Sequence, residues 1–356
     1  MFKKLISVMA VALLLVGCGS KQGESAGVNG CTVLNVYNAG EYIDEELVSS
    51  FEKEYGVRVN YSTFASNEEM YTKLLGGTVY DIIVPSDYMI EKLIGDKLIK
   101  KLDKSKLENL EYMYDGLITD YDPGLEYSVP YFWGNVGIVY DATVIDSKDV
   151  ESEGWNVLKN PKYKGLIYMY DSERDSFMMA LKALGYSMNT TDEAELEAAY
   201  KWLEEINDTM DPAYVTDEAI DGLITASDGK YMGMMYSGDA AYILSENENM
   251  RFFAPEEGTN MWTDAMVLHA KSTCDDLAYK FMDYMYDYDN AYANSSYVGY
   301  ASPVADVLND LSSGDGDYAG NEAYLPRTGN PKDEVFHNND DVRKIISEYW
   351  TRVKFK

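Results

Sequence analysis

The sequence predicts an α/β protein, with a parallel sheet at its centre and helices on the faces. Two strand-like runs at residues 32–37 and 80–84 are apolar enough to be buried, a third at 57–64 alternates, and helix-period segments lie between them. Taken in order, 32–37 (Thr-Val-Leu-Asn-Val-Tyr) is a strand. Residues 44–55 form a helix, because Leu47, Val48 and Phe51 share one face and Gly56 follows as a stop. Residues 57–64 are a strand, 67–75 a helix ending at Gly76-Gly77, and 80–84 (Tyr-Asp-Ile-Ile-Val) a strand closed by Pro85. A β-α-β-α-β order needs crossover connections, hence parallel strands. Ligands in such sheets lie beyond the carboxyl ends of the strands. Here those ends are Asn38-Ala39-Gly40-Glu41-Tyr42 and Pro85-Ser86-Asp87-Tyr88.

A second set of elements begins with a strand near 136–140. Residues 165–169 are strand-like, and 176–184 and 193–207 helical. A strand at 230–236, a short helix at 240–246, a strand at 261–268 and an amphipathic helix at 275–286 complete it. No repeat of 20–50 residues is visible. The length suits two domains, since domains cluster near ~100–150 residues.

The first residues carry a different message. Lys3 and Lys4 precede an apolar run too short to span a bilayer, and Leu15-Val16-Gly17-Cys18 is followed by a Gly/Ser-rich stretch. This resembles a bacterial lipoprotein signal with its lipobox. The resemblance implies a signal peptide over 1–17, lipidation of Cys18, and a flexible tether over 18–31, with the remainder outside the cytoplasmic membrane and anchored to it. An ordinary secretory signal with an incidental Cys18 is the alternative.

Thirty Lys and Arg against 61 Asp and Glu give a net charge of −31. That balance argues against nucleic acid and against anionic lipid surfaces, and favours cationic ligands; an acidic surface serving solubility alone is the competing explanation. Beyond Cys18, only Cys31 and Cys274 remain, able to form one disulfide if the fold brings them together. His269 and His337 are the only histidines and lie far apart, so neither a zinc site nor another metal centre is expected, and no cofactor. Residues 311–318 (Leu-Ser-Ser-Gly-Asp-Gly-Asp-Tyr) form a loop without the full acidic pattern of an EF-hand. There is no Gly-x-Ser-x-Gly elbow and no phosphate-binding Gly-rich loop, which leaves carboxylate-dependent hydrolysis as the only enzymatic alternative.

A series of blocks then brings a family into view. They include Tyr37-Asn38-x-x-Glu41-Tyr42, Tyr61-Ser62-Thr63-Phe64-x-Ser66-Asn67-Glu68, Tyr80-Asp81-Ile82-Ile83-Val84-Pro85-Ser86-Asp87-Tyr88 and Ser128-Val129-Pro130-Tyr131-Phe132-Trp133-Gly134. Further on come Ala180-Leu181-Lys182-x-Leu184-Gly185-Tyr186, Tyr236-Ser237-Gly238-Asp239-Ala240, Trp262-x-Asp264 and Gly299-Tyr300-x-Ser302-Pro303. In number and order they resemble the extracytoplasmic polyamine-binding receptors of ABC importers, the spermidine/putrescine-binding proteins.

The resemblance implies a two-lobe type II periplasmic-binding-protein fold with a hinge and a ligand cleft between the lobes. It implies crossings near 134–137 and 264–268, with lobe 1 made of 32–136 and 265–302 and lobe 2 of 137–264 and 303–356. It also implies no enzymatic activity, a polyamine ligand, ABC permease subunits as partners and a monomeric receptor. Ser86, Tyr88, Tyr236, Trp262, Asp264 and Tyr300 match ligand-contacting positions; Glu41 and Asp239 match acids of the putrescine type; Asp175 matches one of two acids of the spermidine type. The other falls on Ser172, with Asp171 beside it as a substitute.

The residue types suit such a ligand. Carboxylates hold ammonium groups, and aromatic faces cover methylenes and cations. Trp262 and Asp264, two apart on a strand, share a face. Structural roles compete at several positions: Asp239 and Asp175 as helix caps, Asp264 as a hinge acceptor, Glu41 as a solvated acid. Two departures stand out. Ala39-Gly40 replaces an expected aromatic wall, and Arg174 would repel a polyamine unless it points away or pairs with an acid. A thiamine-like cation or ferric iron in the same fold is the alternative ligand.

Overall fold

The structure, a computed structural model, describes residues 27–215 and 218–355. Nine strands are present among them: β1 (Val33–Ala39), β2 (Arg58–Phe64), β3 (Ile82–Ile83), β4 (Ser128–Asp141), β5 (Ile167–Tyr170), β6 (Ala213–Val215), β7 (Met232–Tyr236), β8 (Met250–Phe253) and β9 (Met261–Leu268). They connect in the order β2-β1-β3-β9-β4-β7-β5-β6, with β8 also on β4. The β1–β2 and β1–β3 pairs are parallel, as the crossover pattern predicts, and β9 and β4 add antiparallel partners.

β4 joins two halves. Its 14 residues are all buried. From Ser128 to Asn135 it pairs with β9; from Val136 it pairs with β7, and from Ile138 also with β8. The chain therefore changes sheet partners between Asn135 and Val136. The sequence predicts only 136–140 as strand, because Pro130 and Gly134 interrupt the pattern. Pro130 is tolerated at a register shift between Pro130 and Phe132.

The second crossing differs from expectation. All of β9 belongs to the first half: Trp262 pairs with Gly134, Asp264 with Phe132, and Val267 and Leu268 with β3. The change of partner comes before it, where Asn260 bridges Glu334. Residues 303–318 also lie with the first half. Helix Ala305–Ser312 packs beside helix Tyr288–Val298, and the Tyr318 hydroxyl donates to the Ser296 carbonyl at 2.8 Å. Helix Asp340–Lys354 packs on helices Glu173–Ala183 and Glu193–Met210 of the second half.

Cys18 and the lipobox lie outside the described residues. Residues 27–31, expected as part of a flexible tether, are tied down: Val28 bridges Cys31, and Cys31 forms a disulfide with Cys274, 243 residues away. Among the described residues, no helix is long and apolar enough to cross a membrane.

Candidate ligand-binding site

Between the two halves lies a cavity of about 400 Å³. The helix at its first wall starts at Asp87 after Ser86, whose side chain does not cap it. The Ser86 hydroxyl instead accepts from the Asn67 amide at 3.0 Å and faces the cavity. Ser172 caps helix Glu173–Ala183, which puts Asp175 in the first turn rather than at the cap. Helix Ser237–Glu246 follows Tyr236 with no side-chain cap, and Asp239 sits in its first turn. Both helices begin three residues earlier than the sequence predicts, so neither Asp175 nor Asp239 is an N-cap. An acid in a first helical turn is favoured by the helix dipole.

Three aspartates on the wall each accept a hydrogen bond from a tyrosine. Tyr42 donates to Asp264 at 2.7 Å, Tyr236 to Asp175 at 2.8 Å, and Tyr300 to Asp239 at 2.8 Å. A tyrosine hydroxyl fixes a carboxylate without neutralising it. Burial raises the Tyr42, Tyr236 and Tyr300 hydroxyls well above their ordinary value, so these groups stay neutral donors. Their rings form an edge-to-face chain: Tyr42 to Tyr300 at 5.4 Å, Tyr300 to Trp262 at 5.4 Å, Trp262 to Tyr236 at 6.0 Å and Tyr236 to Tyr170 at 5.7 Å. Two glycines make this packing possible. A Cβ at Gly134 would strike Trp262 and Ser237, and one at Gly238 would strike the Tyr300 ring.

Desolvation sets the charge state of the acids. It raises Asp264 and Asp175 above the usual carboxylate range, against the lowering effect of their hydroxyl partners. Asp87, buried behind the same wall, is pushed up to about 8 by burial, although it accepts from the Tyr88 and Thr263 backbone amides. Three polar atoms of lining residues, the acceptors Asp175 Oδ1 and Asn260 Oδ1 and the donor Trp262 Nε1, are buried without a hydrogen-bond partner. An unpaired buried acceptor is costly, and a donor arriving from a ligand removes that cost.

Eight of the nine residues singled out from the sequence line this cavity: Ser86, Tyr88, Asp175, Tyr236, Asp239, Trp262, Asp264 and Tyr300. Glu41 does not. It is exposed, with a left-handed backbone (φ 52°), and that turn sends Tyr42 inward in its place. Asp171 also faces away, paired with Lys354, so Asp175 is the acid of that stretch on the cavity. Ala39 and Gly40 line the wall as small residues. Ser172 and Arg174 line it too, and Asn67, Asp87, Tyr170, Asn260 and Phe336 complete it without having been singled out. Asp87 was within reach, since it sits inside the Pro85-Ser86-Asp87-Tyr88 block.

Two sheet halves joined by a shared strand, with an acid- and aromatic-lined cavity between them, define a two-lobe solute-binding protein. The chain belongs to the bacterial extracellular solute-binding protein family, whose model matches residues 77–325. It is 32% identical over 346 residues to the spermidine/putrescine-binding periplasmic protein of Escherichia coli (strain K12), covering 96% of this chain and 97% of that one. It is 30% identical over 372 residues to the putrescine/cadaverine-binding protein of Pseudomonas aeruginosa, covering 100% of both. The crystal structure of the spermidine/putrescine ABC transporter substrate-binding protein PotD from Streptococcus pneumoniae matches with a TM-score of 0.79 at 35% identity, covering 91% of this chain and 98% of that one. Relatives of this kind are binding proteins of transporters, and the chain is not an enzyme.

Proposed function

We propose that this protein is the extracytoplasmic receptor of an ABC importer and captures an aliphatic diamine or polyamine, of the putrescine and spermidine class, between its lobes. The observation that carries this reading is the set of Asp–Tyr pairs on an aromatic wall, with an Asp175 oxygen still lacking a donor. A ligand ammonium supplies both charge and donors. Its methylenes suit the faces of Trp262 and Tyr300. The relatives named for spermidine, putrescine and cadaverine support the same class. Ser86, Tyr88, Asp175, Tyr236, Asp239, Trp262, Asp264 and Tyr300 are the proposed contacts, joined by Tyr42 as the residue that orients Asp264.

The lobes hinge where β4 changes partners and just before β9, closing on the amine as a monomer for delivery to the permease. Cys18 carries the lipid that holds the receptor at the outer face of the membrane. The net charge of −31 draws cations toward the cleft. Calorimetric titration of ligand-free protein tests the reading. Putrescine, cadaverine or spermidine should bind with one-to-one stoichiometry, and the neutral butanediol should not. Binding of thiamine or iron with no binding of any amine would overturn it.

A further inference from the structure

Along one edge of β9, every second residue is bonded to the chain that runs through β3. The His269 amide donates to the Asp81 carbonyl at 3.1 Å, Val267 pairs with Ile83, and the Ala265 amide donates to the Pro85 carbonyl at 3.0 Å. The next donor in this series is the Thr263 amide, and the residue opposite it is Asp87. There the neighbouring chain has already turned into helix Asp87–Gly95. The Asp87 side chain takes over from the main chain: its Oδ2 accepts from the Thr263 amide at 3.2 Å, and its Oδ1 from the Tyr88 amide at 2.7 Å.

Both Asp87 and Thr263 are buried, so an amide left without an acceptor here would be costly. The position calls for two acceptors. An Asn could not supply them, because one of its terminal atoms is a donor and would meet one of the two amides. The bond also lies at the ligand wall. Thr263 is flanked by Trp262 and Asp264, and Asp87 by Ser86 and Tyr88; all four of these neighbours line the cavity. Ser86 and Asp264 form a β-bridge beside it.

We infer that Asp87 is a positioning residue for amine capture: its carboxylate continues the β3–β9 ladder into the helix and thereby fixes Trp262 and Asp264 against Ser86 and Tyr88. This rests on the amine-binding reading above and adds a residue that acts through the contacts rather than on the ligand.

Asp81 is the control. It is a buried carboxylate at the far end of the same ladder, accepting from the Asn35 amide at 2.8 Å and the Ser272 hydroxyl at 2.8 Å, and it is not among the residues lining the cavity. Putrescine is titrated calorimetrically into wild type, Asp87→Asn, Asp81→Asn, Trp262→Leu and the double variant Asp87→Asn/Trp262→Leu, with a melting curve for each ligand-free protein. Both Asn variants should melt below wild type. Asp87→Asn should weaken putrescine binding by about tenfold or more. Asp81→Asn should change it by less than about twofold. Since Asp87 acts through Trp262 and its neighbour, the loss caused by Asp87→Asn should shrink by about threefold or more in the Trp262→Leu background. Should Asp87→Asn melt too early to titrate, Asp87→Ser, whose hydroxyl accepts one of the two amides, takes its place in every comparison. Three results each overturn this inference alone: a folded Asp87 variant that binds putrescine as well as wild type, an equal loss in Asp81→Asn, or a loss that Trp262→Leu leaves unchanged. Wild type that binds none of putrescine, cadaverine and spermidine overturns the amine-binding reading and this inference with it.

Discussion

The two ends of the cleft are built from the same materials and differ in what stands against them. Around Asp264, aromatic rings stand beside carboxylates that accept from tyrosine hydroxyls, which orient them without neutralising them. Around Tyr88, aromatic rings and Glu68 are already occupied by Arg174. Aromatic and acidic residues therefore do not by themselves mark an ammonium site. The two ends differ in whether a cation of the protein already stands against the rings.

The largest expected effect breaks the Asp264 end. Asp264→Asn keeps the shape and removes the charge, leaving a buried ammonium without its counter-ion. Amine binding should weaken by roughly 2–5 kcal/mol, from about 30-fold to several thousand-fold. Calorimetry beside a melting curve measures this, and a folded variant with wild-type affinity would remove Asp264 from the site.

pH sharpens the same contrast. Burial holds Asp264 and Asp175 above the ordinary carboxylate range and Asp87 at about 8. In the ligand-free protein, the folded state then keeps protons that the unfolded chain has already lost. Stability should fall as pH rises from the ordinary Asp range through these raised values. An ammonium binds the ionised form, so amine affinity should move the other way, rising by up to about tenfold per pH unit for each proton displaced. Melting curves and titrations between about pH 5 and about pH 8 should diverge in this manner. Affinity that is flat across this range would mean that the acids are already ionised before the amine arrives.

Smaller effects follow from the aromatic wall. Trp262→Leu should cost roughly 0.5–2 kcal/mol of amine binding, because it removes a cation–π face but leaves the Asp264 charge. Tyr42→Phe removes one hydrogen bond to that carboxylate and should cost about 1 kcal/mol. Glu41→Gln, on the outward side of the same turn, should stay within about 0.5 kcal/mol. Titrations in which Glu41→Gln exceeds Tyr42→Phe would reverse the placement of these neighbours.

That pair shows where sequence is informative and where it stops. The parallel β1–β2 and β1–β3 core was legible, since strand and helix periods are local. So was the shared face of Trp262 and Asp264, which depends only on strand alternation. The inward turn of Tyr42 was not, because it depends on a left-handed residue at Glu41 and on a partner 222 positions away. The full length of β4 was hidden by Pro130 and Gly134. Pro130 is accommodated at a register shift, and Gly134 serves the approach of Trp262. For Arg174 the sequence offered pairing with an acid, which Glu68 provides, but not its seat against Tyr88 and Phe336, which come from distant parts of the chain. Long-range partners, rather than local pattern, separate a ligand contact from a surface residue.

The most direct measurement is a crystal structure of the protein loaded with putrescine. One amine should occupy the cleft, with an ammonium against the Asp264 carboxylate and methylenes over Trp262. An amine bound away from Asp264 would contradict that placement.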